Sequence, residues 1–335
     1  MAKNNLASPS IPKKVVTGKG GFIAATNSIL SSFVCIIIGL LVGFIILLCI
    51  NPEHCLEGFM TILSGGFNNI SIHARNISKE ISEAAPLIMT GLSVAFAYKT
   101  GLFNIGAAGQ FVVGACACIY AGLGLGWGWL PCMLFAAVAG ALFGMITGAL
   151  KAYLNVNEVI SGIMLNWIGL YFTNMLLSTV KDAASAYTYA FKVKGPQAIL
   201  PSMGLENIFE GNKYVGIAIP LAIIFAVLVW VVLEKTKFGY ELKATGYNKN
   251  AAKYCGMAEK RNIIVSLAIS GALAGLAGSF MYQTDLEQWQ VTISSVPGMG
   301  FNGIAAAFLG GLSPIGTIFA SFFIQHISDG GSHVD

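Results

Sequence analysis

Residues 28–50 read SILSSFVCIIIGLLVGFIILLCI, a run without a single charge. A helix needs about 20 apolar residues to cross the hydrocarbon of a bilayer, so this run is long enough to span. It is too long for the apolar region of a signal peptide and offers no small-residue cleavage site. Leu48, before Cys49, is too large for lipoprotein processing. The run therefore reads as a first transmembrane helix kept in the chain, behind a tail over 1–27 that carries Lys13, Lys14 and Lys19.

The rest of the chain has the same character. Hydrophobic residues make up 56% of the 335 positions and charged residues 10%, against about 25% charged in a soluble domain. A soluble fold would lack the charge to cover its surface. Further apolar segments lie at about 81–98, 105–125, 129–150, 157–180, 214–233, 262–282 and 300–325. The fold class is thus an all-α membrane protein, a polytopic bundle of about 8–10 transmembrane segments. Its membrane body would run over 28–325, with a short tail over 326–335. The chain stops soon after an apolar segment, which suggests a shortened C-terminus.

Basic residues set the orientation, because they gather on the cytoplasmic side. With the N-terminus inside, 13 of the 19 lysines and arginines fall inside, seven of them between Lys235 and Arg261. The outside segments hold Glu53, Glu57, Glu80, Glu83, Asp182, Glu206 and Glu210.

Chemistry-bearing motifs are scarce. Seven cysteines form no CxxC pair and the four histidines are scattered, so neither a metal site nor a disulfide framework is expected. No phosphate-binding loop, dinucleotide fingerprint or nucleophile elbow is present. The chain is expected to be no enzyme, to hydrolyse no ATP itself, and to need neither cofactor nor nucleic acid.

The departures from a plain apolar bundle are local. In 157–180, Glu158, Gly162, Asn166, Gly169 and Thr173 share one helix face, which is either a solute-path face or a packing face. Gly140, Gly144 and Gly148, with Gly271 and Gly275, mark close helix contacts. GLFNIGAAGQ over 101–110 places Asn104, Gln110 and three glycines in an apolar stretch, which suits a broken helix or a turn. Residues 296–316 contain PGMGFNGIAAAFLGGLSPIG, which reads as two half-helices, a re-entrant turn or one kinked helix, so the bundle is expected to hold broken or re-entrant helices. FMTILSGGF over 59–67 is apolar enough to dip into the membrane. Trp289 is a candidate interface anchor. The basic stretch 234–262 predicts a short helix capped by Asn248, covering Ala251, Ala252 and Tyr254 and stopped at Gly256. Such a helix suits docking to a cytoplasmic partner, or a basic loop lying on anionic membrane lipid.

GLFNIGAAGQ (101–110), NEVISGIMLNWI (157–168), FGYELKATGYNKNAAKYCGM (238–257) and GFNGIAAAFLGGLSPIG (300–316) resemble permease subunits of bacterial ABC importers, in the nucleoside branch. That branch is related to ribose, galactose and branched-chain amino acid permeases. The resemblance covers about 80–325 and implies a subunit of the bacterial cytoplasmic membrane, N-terminus cytoplasmic. It implies three partners: a second related permease, a cytoplasmic ABC ATPase and an extracytoplasmic substrate-binding lipoprotein. It also implies that 238–257, with Gly246, Asn248, Ala251, Ala252, Tyr254 and Gly256, couples to the ATPase. Asn104, Gln110, Asn166, Trp167, Phe301 and Asn302 are the expected solute path, neutral amides and rings that suit a nucleoside. A simple sugar such as ribose or galactose is the alternative solute. An ion-coupled transporter is the rival from another class; it predicts an ionisable residue deep in the bundle, where Glu158 alone comes near.

Overall fold

The computed structural model describes residues 19–67, 73–209 and 215–334. Among them the regular structure is helical, with only two isolated strand-like bridges in the 181–188 and 290 region. Long helices of this kind satisfy every backbone group within one segment, which hydrocarbon demands. In order they are α1 (Lys19–Ile50), α2 (Cys55–Ser64), α3 (His73–Lys99), α4 (Ala107–Leu123), α5 (Trp129–Leu154), α6 (Glu158–Leu177) and α7 (Phe191–Lys194). There follow α8 (Ala218–Lys235), α9 (Lys237–Tyr247), α10 (Lys249–Tyr254), α11 (Glu259–Tyr282), α12 (Met299–Leu309) and α13 (Pro314–Gly331).

Six of these, α1, α3, α5, α6, α8 and α11, are long and apolar enough to cross a membrane. The chain is a multi-pass membrane protein. The segment expected at 105–125 is the shorter α4. The one at 300–325 is two helices, broken where Gly311 and Leu312 both take positive φ, 64° and 56°. α13 continues through His326 to Gly331. α2, the stretch expected to dip, packs along the far end of α13, with Gly330 close against the Ile62 carbonyl.

The centre of the bundle is made by α3, α4 and α11, whose side chains are buried almost throughout. α5 packs on α11 through glycine: a Cβ at Gly140 would stand 2.2 Å from the Gly271 carbonyl oxygen. With no hydrophobic force between helices in lipid, such close backbone approach is what holds them together. α5, α6 and α8 turn their outer faces, rich in Leu, Ile, Met and aromatic residues, away from this centre. The loops after α6 and α11 meet at one end, where Trp289 is buried rather than anchored at an interface. Its indole N–H donates to Asn174 Oδ1 of α6 at 2.9 Å, so the ring belongs to the core.

Candidate functional site

α3 stops at Lys99 because Gly101 turns the chain at φ 72°. Residues 101–106 are not helical, and α4 starts at Ala107 with no side-chain cap of its own. The first four N–H groups of a helix need partners from elsewhere, and at membrane depth water is not a general source. The partner here is Asn166. Its Oδ1 accepts from Gly109 N at 2.7 Å, and its Nδ2 donates to the Ile105 carbonyl at 3.1 Å. One amide on α6 thus clamps both sides of the α3–α4 turn. Glycine at 109 is required, since a Cβ would lie 2.7 Å from Asn166 Oδ1.

The inner side of the same turn is closed by a second amide set. Asn104 Nδ2 donates to Gln110 Oε1 at 2.8 Å, and Gln110 Nε2 returns a bond to Asn104 Oδ1 at 3.2 Å. Asn104 also donates to Ser270 Oγ of α11 at 2.6 Å. Ser270 Oγ donates in turn to the Ser93 carbonyl of α3 at 2.7 Å, and the two serine hydroxyls lie 2.9 Å apart. All four residues are buried. Asn104 and Gln110 therefore tie α3, α4 and α11 into one neutral network.

The other three expected path residues point outward. Trp167 is 42% exposed and stacks on Tyr171, ring centres 6.1 Å apart. Phe301 is 39% exposed, and Asn302 beside it is exposed too. They stay near the turn because Gly300 packs directly on Ala108, one residue before the Gly109 that Asn166 holds. The six residues thus divide into three that build the turn and three on the open surface flanking it.

The sequence reading missed the segment leading to α12. Asn174 Nδ2 holds the Ile293 carbonyl at 2.8 Å, and Thr90 Oγ1 reaches the Met299 carbonyl at 3.3 Å. Thr90 lies nine residues inside α3, about 13 Å from its end. Residues 294–298 therefore lead without helix to the level of Thr90, and Thr292, Ser294, Ser295 and Gly298 are exposed. Non-helical backbone at that depth belongs against protein or beside water. Pro297 lies in the 296–316 stretch that the sequence marks as broken, but nothing local placed residues 290–295 with it.

At the far end of α3 the basic stretch is bolted to this turn. Asn248 Oδ1 accepts from Ala251 N at 3.0 Å and caps α10; Gly256 follows with φ 79°. Gly246, the last turn of α9, sits on Gly101: a Cβ there would be 2.6 Å from the Lys99 carbonyl oxygen. Thr245 accepts from Asn262 of α11 at 3.0 Å, and Thr100 pairs with Ser266 at 2.8 Å. Lys249, Asn250, Ala251, Lys253 and Tyr254 are exposed, Tyr254 by 92%, while Ala252 is only 4% exposed. Ala252 anchors α10, and Ala251 and Tyr254 are what it presents.

Charged groups at further helix ends are paired. Asn157 caps α6, accepting from Val159 N at 2.8 Å, and Glu158 pairs with Lys151 at 2.7 Å. Glu80 and Glu83, assigned to an outside segment, lie on α3 and face α13. Glu83 accepts from Gln325 at 2.6 Å, Lys79 stands 3.8 Å from Asp329, and Glu80 meets His326 at 2.9 Å. An i, i+4 spacing on α13 (Thr317, Ser321, Gln325, Asp329) lays a buried polar ladder against α3.

Residues 76–334 match the family described as branched-chain amino acid transport system, permease component. The chain is 36% identical over 308 residues to the guanosine ABC transporter permease protein NupP of Bacillus subtilis (strain 168), covering 91% of this chain and 86% of the relative. It is 33% identical over 317 residues to the nucleoside ABC transporter permease protein NupB of Lactococcus lactis subsp. cremoris, covering 91% and 84%. A second guanosine permease protein of the same Bacillus strain, NupQ, is 31% identical over 251 residues, 72% of this chain and 76% of the relative. No solved structure gives a significant match.

Proposed function

This chain belongs to the family of branched-chain amino acid transport system permease components and is an ABC transporter permease, and we propose that the solute it passes is a nucleoside. The observation that carries this is the identity to NupP across nine-tenths of the chain. The residues flanking the α3–α4 turn agree with it. Trp167 and Phe301 offer exposed ring faces for a flat base, and Asn302, Ser294 and Ser295 offer neutral hydrogen-bonding groups for a ribose. No exposed charge stands among these five to favour a charged solute.

In this reading the chain faces a second, related permease across the surface that carries Trp167, Phe301 and Asn302, and the solute passes between the two. The N-terminus is cytoplasmic, a lipoprotein receptor delivers the solute outside, and a cytoplasmic ATPase docks at α10 through Ala251 and Tyr254. ATP binding moves α10, the Gly246–Gly101 contact carries the movement to the turn, and the path opens towards the receptor.

The test is uptake of labelled guanosine, uridine and ribose by cells with and without this gene. Loss of guanosine and uridine uptake on deletion, restored by the gene, supports the proposal. Intact nucleoside uptake alongside lost ribose uptake refutes it in favour of the sugar reading. The docking part is tested separately with Ala251→Glu, expected to abolish uptake while the folded protein accumulates normally; undiminished uptake would refute it.

A further inference from the structure

A large apolar cavity lies away from the amide turn. It has a volume of about 620 Å³ and separates α1 from the rest of the bundle. Its walls include Cys35, Gly39 and Gly43 of α1, Phe59 of α2, Phe308 of α12 and Ile324 of α13. Two ties flank it. At one end Ser32 Oγ donates to the Leu309 carbonyl at 2.8 Å. At the other Phe44 packs edge-on against Phe59, ring centres 5.1 Å apart. The ties are twelve residues apart on α1, about 18 Å along the helix.

An apolar groove of this size, open along one side, does not stay empty, and water entering it would find too few polar partners. Something apolar fills it. The cavity is continuous with the outer face of α1, where Phe33, Ile37, Leu41 and Ile45 are all more than half exposed and face hydrocarbon. A helix of another subunit would have to run the full ~30 Å of the hydrocarbon core, but the ties close the cavity after about 18 Å. A chain hanging from one leaflet ends within that length.

We infer that this cavity binds one acyl chain of a bilayer phospholipid, which fills the seam and seats α1 on α12 and α13. The site does not rest on the solute reading. It gives α1, which touches the body at few points, a lipid as its main packing partner, and it places that lipid on the helix whose other end carries Phe301 and Asn302.

The test uses the full chain with its partner subunits in vesicles of phosphatidylethanolamine and phosphatidylglycerol. A fraction of the lipid carries a diazirine in the acyl chain, and adducts are mapped by mass spectrometry. At a bound site, adducts on 31–43 and 305–309 saturate near one per chain as the labelled fraction rises. Adducts on the exposed α6 residues Met164 and Ile168 rise in proportion. Gly39→Phe has open space at the Cβ, and with Ala305→Phe it fills the cavity. That variant is expected to lose at least five-fold of the cavity adducts while keeping those on α6. Proportional labelling in the wild-type cavity overturns the inference and needs no variant. So does a crosslink from Cys35 to another subunit, which would show that protein fills the seam.

Discussion

The α3–α4 turn and the α3–α13 ladder are both buried polar clusters on the same helix, but they are built differently. At the turn every group is neutral, and the amides of Asn104, Gln110 and Asn166 are matched with serine hydroxyls and backbone. The ladder instead mixes the neutral Thr317, Ser321 and Gln325 with ionisable groups: Glu80, Glu83, Lys79, His326 and Asp329. It is also incompletely matched, since Asp329 Oδ2 and Ser321 Oγ are buried without a hydrogen-bond partner. Burial explains the difference. Asn104, Gln110 and Asn166 are almost completely enclosed by protein, so an unmatched group there costs its full desolvation. The ladder lies near the end of α3, where Lys79 is about half exposed and water relieves what the protein leaves unmatched.

If that contrast is right, the turn is the less tolerant region. The largest effect is expected from Asn104→Leu, which strands the Gln110 amide in the core. It should cost about 3 kcal/mol or more, seen as a lower thermal midpoint and lower folded yield in detergent. Gln110→Leu in that background should cost at least about 1 kcal/mol less than it does alone, because the pair acts as a unit. Additive losses would break the network reading.

Next comes Asn166→Leu, which uncaps α4 and strands two backbone groups at about 1–3 kcal/mol each, less whatever water reaches the site. Gly246→Val should be smaller in stability, about 1–3 kcal/mol, yet should lower uptake disproportionately, because it displaces the contact between α9 and Gly101. Equal losses of folded protein and uptake would assign Gly246 to packing alone.

Asp329→Asn probes the ladder and should cost no more than about 1 kcal/mol, as it keeps the shape of the buried side chain and removes only a long contact with the half-exposed Lys79. A cost matching that of Asn104→Leu would undo the comparison. The smallest effect is at Glu287, outside the spans. Burial of its carboxyl pushes its pKa above the usual 4.5, with Lys79 opposing more weakly. The folded state then holds the proton more tightly, so stability is greatest below pH 4.5 and falls as pH rises through the raised value. Glu287→Gln should flatten that slope slightly, measured by thermal midpoints between pH 4 and 7. A slope unchanged in the variant would remove Glu287 from the account.

Much of this was legible in the residues. The apolar runs gave the helices; Gly101 and the 310–313 break gave the interruptions; Asn248 and Gly256 gave the ends of α10. These are properties of a few consecutive residues, because helix length, caps and positive φ are decided locally. The amides at 104, 110 and 166 were also recognisable as costly in lipid, although whether they line a path or hold a turn was open.

What the sequence by itself determined is therefore the membrane bundle, the places where its helices fail, and the polar residues that had to find partners. Only the tertiary structure decided which partners those were. Asn104 meets Ser270 from 166 positions away, Gly246 rests on Gly101, and Glu83 bonds Gln325 across 242 positions. It also decided that Ala252 faces inward while Ala251 and Tyr254 face out, and that the non-helical chain before α12 comes in beside Thr90 of α3. The reason is physical: a hydrogen-bonding group states its need through its own chemistry, but the group that meets it is set by how helices distant in sequence pack.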